Sequence, residues 1–294
     1  MIKKSLITAL VFLLVYHFAL PHLSRDYYWI AGQQRANYLR AQKFVHDTPA
    51  DANVIVGSSM ANTLSDEMLA GKYEKLTFPA GGSFTGLEII AGTGKHPKVL
   101  WIESNTLLRD ADKSMLDDVL SPWRRKLRDT SPVFKEEGRP SNFEVGFFNE
   151  LVGKICHGFS KITGAPKKPK TAEHVTDPSV FADIMKVNRE HLDRAPSETV
   201  LTSKVNHLGE LIDQLTRSGT TCILFEMPFD STLKDLAEPM AVRTAMEKRF
   251  PSWKYHWFTL DHDHAYQTTD GVHLVKSESD KVTGAMLQEA DALK

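Results

Sequence analysis

Short apolar runs alternate with helical patterns along most of the chain. Five runs have the length and the β-branched and aromatic content of buried strands, and they begin at Asn53, Lys75, Lys98, Thr221 and Lys254. Helical patterns lie between them, and another follows the last run. Strands that alternate with helices form a mostly parallel sheet covered on both faces. We therefore predict an α/β fold, a three-layer sandwich around a central, mostly parallel five-stranded sheet.

The stretch from about residue 107 to 196 breaks this alternation. It contains the Pro- and Lys-rich sequence KITGAPKKPKTAEHVTDP, which is typical of an exposed loop. We predict a helical and loop insertion here, between the third and fourth strands of one domain that spans residues 31–294. The basic run from Lys167 to Lys170 is interpreted as a solvated loop face, with contact to an acidic polymer or to lipid headgroups as the alternative.

The first 30 residues form a segment of their own. Two lysines precede a largely apolar run from Leu6 to Leu20, and no small-x-small cleavage site follows. The aromatic residues at 27–29 suit a membrane interface. We predict that residues 1–30 are an uncleaved signal anchor in a bacterial inner membrane, with the remaining chain on the periplasmic side. Secretion after signal cleavage is the alternative.

Charge and cysteine content exclude several classes of protein. The 36 basic and 37 acidic residues nearly cancel, and no long basic run is interleaved with aromatic residues, so nucleic acid is not expected as a partner. The two cysteines, Cys156 and Cys222, lack CxxC and zinc-type spacing, which excludes a cysteine metal site and a disulfide-dense scaffold. We predict that Cys222 lies in a strand as a buried thiol, unpaired with Cys156.

Polar residues and glycines follow the predicted strands, at the edge where parallel α/β sheets bind ligands. They are Ser58 and Ser59 after the first strand, Gly81 and Gly82 after the second, Asn105 after the third, and Asp270 with His273 before the final helix. A serine, a histidine and a carboxylate can form an acyl-transfer triad, while glycine amides and an asparagine can donate to an oxyanion. The alternative role of a serine directly before a helix is that of an N-cap, whose hydroxyl accepts from an amide of the first helical turn.

Four of these blocks resemble, in order and approximate spacing, the SGNH (GDSL-type) esterases and acyltransferases. The blocks are Gly57-Ser58-Ser59, the glycine of AGGSFTG, the asparagine of WIESN, and DGVH. The resemblance covers the chain from about Asn53 onward outside the insertion, and its D-x-x-H block is the most specific part. It implies a flavodoxin-like sheet, no cofactor and no metal. It also implies these roles: Ser59 as nucleophile, His273 as base, Asp270 as the residue that orients it, and the Ser59 amide, Gly82 and Asn105 as oxyanion donors.

The chain departs from the pattern of this family at three places. Ser58 occupies the position of the usual aspartate, and Glu103 stands where the third block has a small residue. Glu103 is interpreted first as a buried carboxylate bonded to neighbouring amides, with a role in shaping an acceptor pocket as the alternative. The second block lacks its usual preceding asparagine, and Gly82 is chosen over Gly81 on block spacing.

A metal site is the competing interpretation of the segment DHDHAYQTTDGVH. His-x-His spacing in an extended chain can put two imidazoles on one side, but no third ligand is fixed by the spacing. We therefore predict polar loop side chains here and no metal.

Together with the predicted anchor, the resemblance is to membrane-tethered members of alginate and cellulose O-acetylation systems. It implies O-acetyl transfer to, or removal from, an exported polysaccharide. The implied partners are the polysaccharide, an acyl donor and a membrane-embedded acyltransferase. Transfer and hydrolysis share an acyl-serine intermediate, and the sequence does not separate them. The alternatives are a lipase- or thioesterase-like hydrolase, and an anchored polysaccharide-binding or assembly protein without activity.

Overall fold

The computed structural model describes residues 2–19, 32–138, 177–261 and 264–293. The chain divides into two compact units, which are Met1–Asp47 with Asp117–Thr171, and Thr48–Leu116 with Ala172–Lys294. The second unit contains the sheet and every predicted site residue. The aromatic residues at 27–29, Cys156 and the basic run 167–170 lie outside the described residues, so the predictions made for them stay predictions.

Five strands form one sheet in the order β2-β1-β3-β4-β5, and every neighbouring pair is parallel. The strands are β1 (Val54–Gly57), β2 (Glu74–Thr77), β3 (Val99–Glu103), β4 (Thr221–Phe225) and β5 (His256–Phe258). Each falls within or at the border of one of the five apolar runs. The predicted α/β fold around a parallel five-stranded sheet is confirmed.

The described segments before, between and after these strands in the sequence contain helices. They are α1 (Ile2–Ala19), α2 (Gln33–Asp47), α3 (Ser59–Asn62), α4 (Asp66–Leu69), α5 (Ser83–Thr93), α6 (Lys113–Val119), α7 (Pro122–Thr130), α8 (Pro178–Leu192), α9 (Glu198–Arg217), α10 (Ala237–Arg249) and α11 (Lys276–Ala292). The sheet is covered on both faces, which makes the second unit a three-layer sandwich.

The two faces of β1 show how the layers are held together. Successive side chains of a strand point to opposite faces. Val56 contacts α5, where Gly86 lets the helix approach so closely that an added Cβ would lie 2.7 Å from Val56 Cγ1. Ile55 belongs to the core cluster on the other face, which includes Val282 and Met286 of α11. A strand buried on both sides needs the continuous apolar sequence that predicted it.

The strand order creates a switch point between β1 and β3. The chain leaves β1 toward β2 on one side and continues from β3 toward β5 on the other. Ligands of open α/β sheets bind at the carboxyl ends of strands at such a point. Val56 is paired with Ile102, so the end of β1 at Gly57 lies beside Glu103 at the end of β3.

The N-terminal helix corrects the prediction of a membrane anchor. Helix α1 has 18 residues and starts with two lysines near its first turn. At 1.5 Å per residue it rises about 27 Å, whereas the roughly 20 apolar residues that a membrane span needs rise about 30 Å. No helix in the described part of the chain is long and apolar enough to cross a membrane. The predicted localisation, a single-pass anchor in a bacterial inner membrane, is therefore wrong.

Candidate active site

The strand-to-helix junction after β1 separates the roles of its two serines. Ser58 has an extended backbone, with φ −98° and ψ −158°, and its Oγ accepts a hydrogen bond from the amide of Met60 at 3.1 Å. Ser58 is therefore the N-cap of α3, the role expected of serine at a helix start. Ser59 is the first residue of the helix, and its hydroxyl is not used as the cap.

Ser59, His273 and Asp270 form one hydrogen-bonded chain. Ser59 Oγ lies 2.8 Å from His273 Nε2, and His273 Nδ1 lies 2.6 Å from Asp270 Oδ2. Because a carboxylate only accepts, Nδ1 carries the proton of the second bond, and the neutral ring then accepts at Nε2 from the Ser59 hydroxyl. In this arrangement the imidazole can take the serine proton.

The turn that carries Asp270 and His273 is closed by its own hydrogen bonds. Asp270 Oδ1 accepts from the amides of Val272 at 3.1 Å and His273 at 2.8 Å. Gly271 has φ +92°, a left-handed conformation that side chains other than glycine rarely adopt. Asn188 of α8 donates to the carbonyl of Asp270 at 2.8 Å. The aspartate and the histidine are thus fixed relative to each other before any ligand binds.

The same hydrogen bonds control the charge of Asp270. Burial acts to raise its pKa, but hydrogen bonds from the side chain and the amide of His273 oppose burial. Together with the charge of His273 and the amide of Val272, these bonds hold the pKa of Asp270 below its ordinary value. Asp270 is therefore ionised at neutral pH and can stabilise a protonated imidazole.

Two backbone amides remain for an oxyanion. Gly81 is excluded because its amide donates to the carbonyl of Phe78 at 2.8 Å. The amides of Gly82 and Ser59 have no hydrogen-bond partner within the described residues. Gly82 precedes α5 as its N-cap, and an added Cβ there would lie 3.1 Å from the carbonyl oxygen and from Oγ1 of Thr106. These observations favour Gly82 over Gly81.

Asn105 is the third predicted oxyanion donor. Unlike the two amides, its side chain is already hydrogen-bonded to the protein backbone. Its Nδ2 donates to the carbonyl of Met227 at 2.8 Å, and its Oδ1 accepts from the amide of the same residue at 2.7 Å. This double contact fixes the amide plane and leaves the second hydrogen of Nδ2 for another acceptor. The structure thus fixes the orientation of Asn105 across the end of β4.

Glu103 lies directly beneath the serine turn with 1% of its surface exposed. Its Oε1 accepts from Ser58 Oγ at 2.7 Å, and its Oε2 accepts from the amides of Ser58 at 2.8 Å and Ala61 at 3.1 Å. The interpretation of Glu103 as a buried carboxylate bonded to neighbouring amides is confirmed. Burial raises the pKa of Glu103, while these hydrogen bonds and the charge of Arg109 oppose the rise.

A cleft of about 450 Å³ that the sequence did not predict opens beside Asn105. Its wall carries an ion pair in which Nε and Nη2 of Arg243 donate to Glu226 at 3.0 and 2.8 Å. Trp253, with 82% of its surface exposed, and Trp257 also line the cleft. Glu226 directly follows β4. Because ligands bind at the carboxyl ends of parallel strands, the reasoning that identified Asn105 after β3 also applies to Glu226.

Metal binding finds no support in the residues that the structure describes. Among residues 2–19, 32–138, 177–261 and 264–293, no group of three His, Cys, Asp or Glu side chains could hold an ion. His264 is hydrogen-bonded to Glu278 at 3.0 Å. His262 and Asp263, which belong to the candidate metal segment, lie outside the residues that the structure describes.

Comparison of the chain with models of known protein families and with curated proteins finds no match. Membership of the SGNH family therefore stays a prediction, carried by the four sequence blocks.

Proposed function

We propose that this chain carries out serine-dependent acyl-ester chemistry with Ser59 as its nucleophile. The supporting observation is the hydrogen-bonded chain from Ser59 through His273 to Asp270, with distances of 2.8 and 2.6 Å. As Ser59 Oγ attacks the acyl carbon, His273 Nε2 takes its proton, and ionised Asp270 stabilises the resulting imidazolium. The serine therefore reacts as an alkoxide equivalent without a prior loss of its proton.

The attack places negative charge on the former carbonyl oxygen. The amides of Ser59 and Gly82 donate to it, and in other enzymes a donor of this kind lowers the barrier by roughly 3 kcal/mol. His273 then returns its proton to the leaving alcohol, and an acyl-serine remains. A water molecule or a second alcohol, deprotonated by His273, attacks this ester, and His273 then returns that proton to Ser59 Oγ as the ester bond to the serine breaks. Water gives hydrolysis, and an alcohol gives transfer.

The proposed substrate is a polysaccharide that gains or loses O-acetyl groups. The cleft beside Asn105 supports this choice because it combines the aromatic faces of Trp253 and Trp257 with the charged pair of Glu226 and Arg243. A sugar ring has the matching chemistry, since its C–H faces stack on aromatic rings and its hydroxyls bind charged groups.

A second candidate, a lipase- or thioesterase-like hydrolase, is favoured by the apolar floor of the same cleft. Val242, Met246 and Phe250 line it and are buried. An apolar surface of this kind suits a longer acyl chain better than an acetyl group. A series of esters with increasing acyl length separates the two candidates, because the specificity constant then rises with chain length only for the second.

The test of the proposal is covalent labelling of Ser59 by a serine-directed phosphonate, combined with hydrolysis of an acetyl ester. We expect Ser59→Ala and His273→Ala each to lower kcat by at least about 10³-fold, and the double variant to lose little more, because residues that act as one unit are not additive. Ser218→Ala, at an exposed serine after α9, is the control. A folded protein that never labels, or a Ser59→Ala variant with normal activity, would contradict the proposal.

Transfer and hydrolysis are separated by incubating the protein with an acetyl donor and neutral oligosaccharides. Mass spectrometry then shows either an acetylated sugar or only free acetate. The first result identifies a transferase, and the second identifies an esterase.

A further inference from the structure

We infer that Glu103 is a positioning residue for Ser59: its carboxylate holds the turn that presents the serine hydroxyl and amide to the acyl group. This inference rests on the proposed function, since positioning matters only for a serine that reacts. Glu103 itself touches neither substrate nor His273 in this scheme. It acts through the backbone on either side of the nucleophile.

The hydrogen bonds of Glu103 bracket Ser59 along the chain. Both oxygens are used, with Oε1 bound to the Ser58 hydroxyl and Oε2 bound to the amides of Ser58 and Ala61. One anchoring residue precedes the serine directly, and the other follows it by two positions. The φ and ψ angles of Ser59 are therefore constrained from both ends, and with them the directions of its Oγ and its N–H.

Glu103 also connects the two segments that supply the oxyanion amides. Its backbone carbonyl accepts from Ser83 Oγ at 2.6 Å, directly after Gly82, while its side chain holds the turn of Ser59. Glu103 is the last residue of β3 and is paired with Phe225 of β4. A residue at the end of a central strand thus sets the distance between the amides of Gly82 and Ser59.

Gly57 is the sequence feature that admits this carboxylate. An added Cβ on Gly57 would lie 2.5 Å from Glu103 Oε2 and 2.6 Å from Ala61 Cβ. The carboxylate therefore occupies the space that any other side chain at position 57 would need. The absence of a side chain at Gly57 leaves the space that the Glu103 carboxylate fills.

Stability alone does not explain the carboxylate at this place. Every contact to Glu103 comes from a donor, which suits the ionised form, yet burial disfavours that form and raises the pKa. The native state therefore binds the proton of this carboxyl more tightly than the unfolded chain does. The free energy of unfolding then falls as pH rises through the native pKa. Strongly perturbed acids of this kind cluster at functional sites.

The experiment compares Glu103→Gln with Glu103→Met. The oxygen of Gln can accept from both amides, and its NH₂ group can donate to Ser58 Oγ, whereas Met keeps the volume and accepts no strong hydrogen bond. We expect Glu103→Met to slow phosphonate labelling of Ser59 and to lower kcat by about 100-fold, the effect of a displacement near 1 Å, with KM changed less than about threefold. We expect Glu103→Gln to restore both rates to within about tenfold of the unchanged protein.

A matched control and an unfolding measurement separate positioning from folding. Glu210→Met changes an exposed glutamate of α9 whose side chain is 81% accessible, and it should leave both rates unchanged. Circular dichroism and urea unfolding report whether each variant is folded. If Glu103→Met does not fold, Ser58→Ala removes the hydrogen bond of the Ser58 hydroxyl to Oε1, together with the N-cap bond to the amide of Met60, and leaves the two amide bonds to Oε2 in place. It should slow labelling by a smaller factor while KM stays constant.

Three results have distinct meanings. If the unchanged protein labels at Ser59 and folded Glu103→Met labels equally fast, the role of Glu103 is refuted and the proposed function stands. If Gln and Met slow labelling equally in folded proteins, the hydrogen bonds of Glu103 are not what positions the serine. If the unchanged protein never labels, the proposed function fails, and the role of Glu103 fails with it.

Discussion

Replacement of Gly57 by alanine tests the packing beneath the serine with a single methyl group. The added Cβ would lie 2.5 Å from Glu103 Oε2 and 2.6 Å from Ala61 Cβ, where ordinary contacts begin at 3.4 Å. Glu103 Oε2 must therefore lie about 0.9 Å farther away, the difference between 3.4 and 2.5 Å, and Ala61 Cβ about 0.8 Å farther away, the difference between 3.4 and 2.6 Å. Overpacking of this kind costs about 1–3 kcal/mol, and the lower chain entropy of alanine in the unfolded state offsets about 0.4–1 kcal/mol.

We expect Gly57→Ala to lower the free energy of unfolding by roughly 1–2 kcal/mol and the rate of Ser59 labelling by about 100-fold. Urea unfolding and phosphonate labelling measure the two effects. The control is Gly284→Ala in α11, where the nearest atom to an added Cβ is Met68 Cε at 3.5 Å. This control should gain up to about 1 kcal/mol from helix propensity. A Gly57→Ala variant as stable and reactive as the unchanged protein would refute the packing described here.

Two further predictions follow from the pKa directions of partly buried groups. Asp270→Asn should lower kcat about 10⁴-fold by favouring the wrong imidazole tautomer. The lowered pKa of Asp270 means that its stabilising effect is present above the unfolded pKa of about 3.9 and is lost as pH falls through the native pKa. The unfolding free energies of the two proteins should therefore converge in acid; a constant difference would contradict this. Burial raises the pKa of Cys222 to about 11, so iodoacetamide should modify it slowly at pH 8 and much faster after unfolding, as measured by site-resolved mass spectrometry.

The sheet could be predicted because strand patterns act locally, and the serine, histidine and aspartate could be found because they follow a predicted strand or precede the final helix and match blocks of the SGNH family. The run that becomes β1 is apolar at every position, since parallel strands at the centre of a sandwich are buried on both faces. The position of Ser59 then follows from topology, because the carboxyl ends of parallel strands share one edge. No knowledge of side-chain packing was needed for either inference.

The resemblance implied Ser59 as the nucleophile, but the sequence did not show that Ser58 is the N-cap of α3. Which serine caps α3 depends on the backbone angles at the junction, and the extended conformation of Ser58 decides it. The pair of Glu226 and Arg243 was also missed, because it forms only when α10 packs beside the end of β4. The anchor was predicted wrongly since an apolar run can fill a helix that is too short and too charged at its start to span a membrane.

The separation of Ser59 from His273 by 214 positions has a consequence for biosynthesis. A nascent chain that has already formed β1 lacks His273, the proposed base for Ser59, until the segment before α11 has left the ribosome and docked. Long-range contacts of this kind form late in folding because loop closure must precede them. Reactivity of Ser59 toward a phosphonate would therefore count only completed molecules, and a pulse of the reagent during translation would measure how long the chain takes to mature.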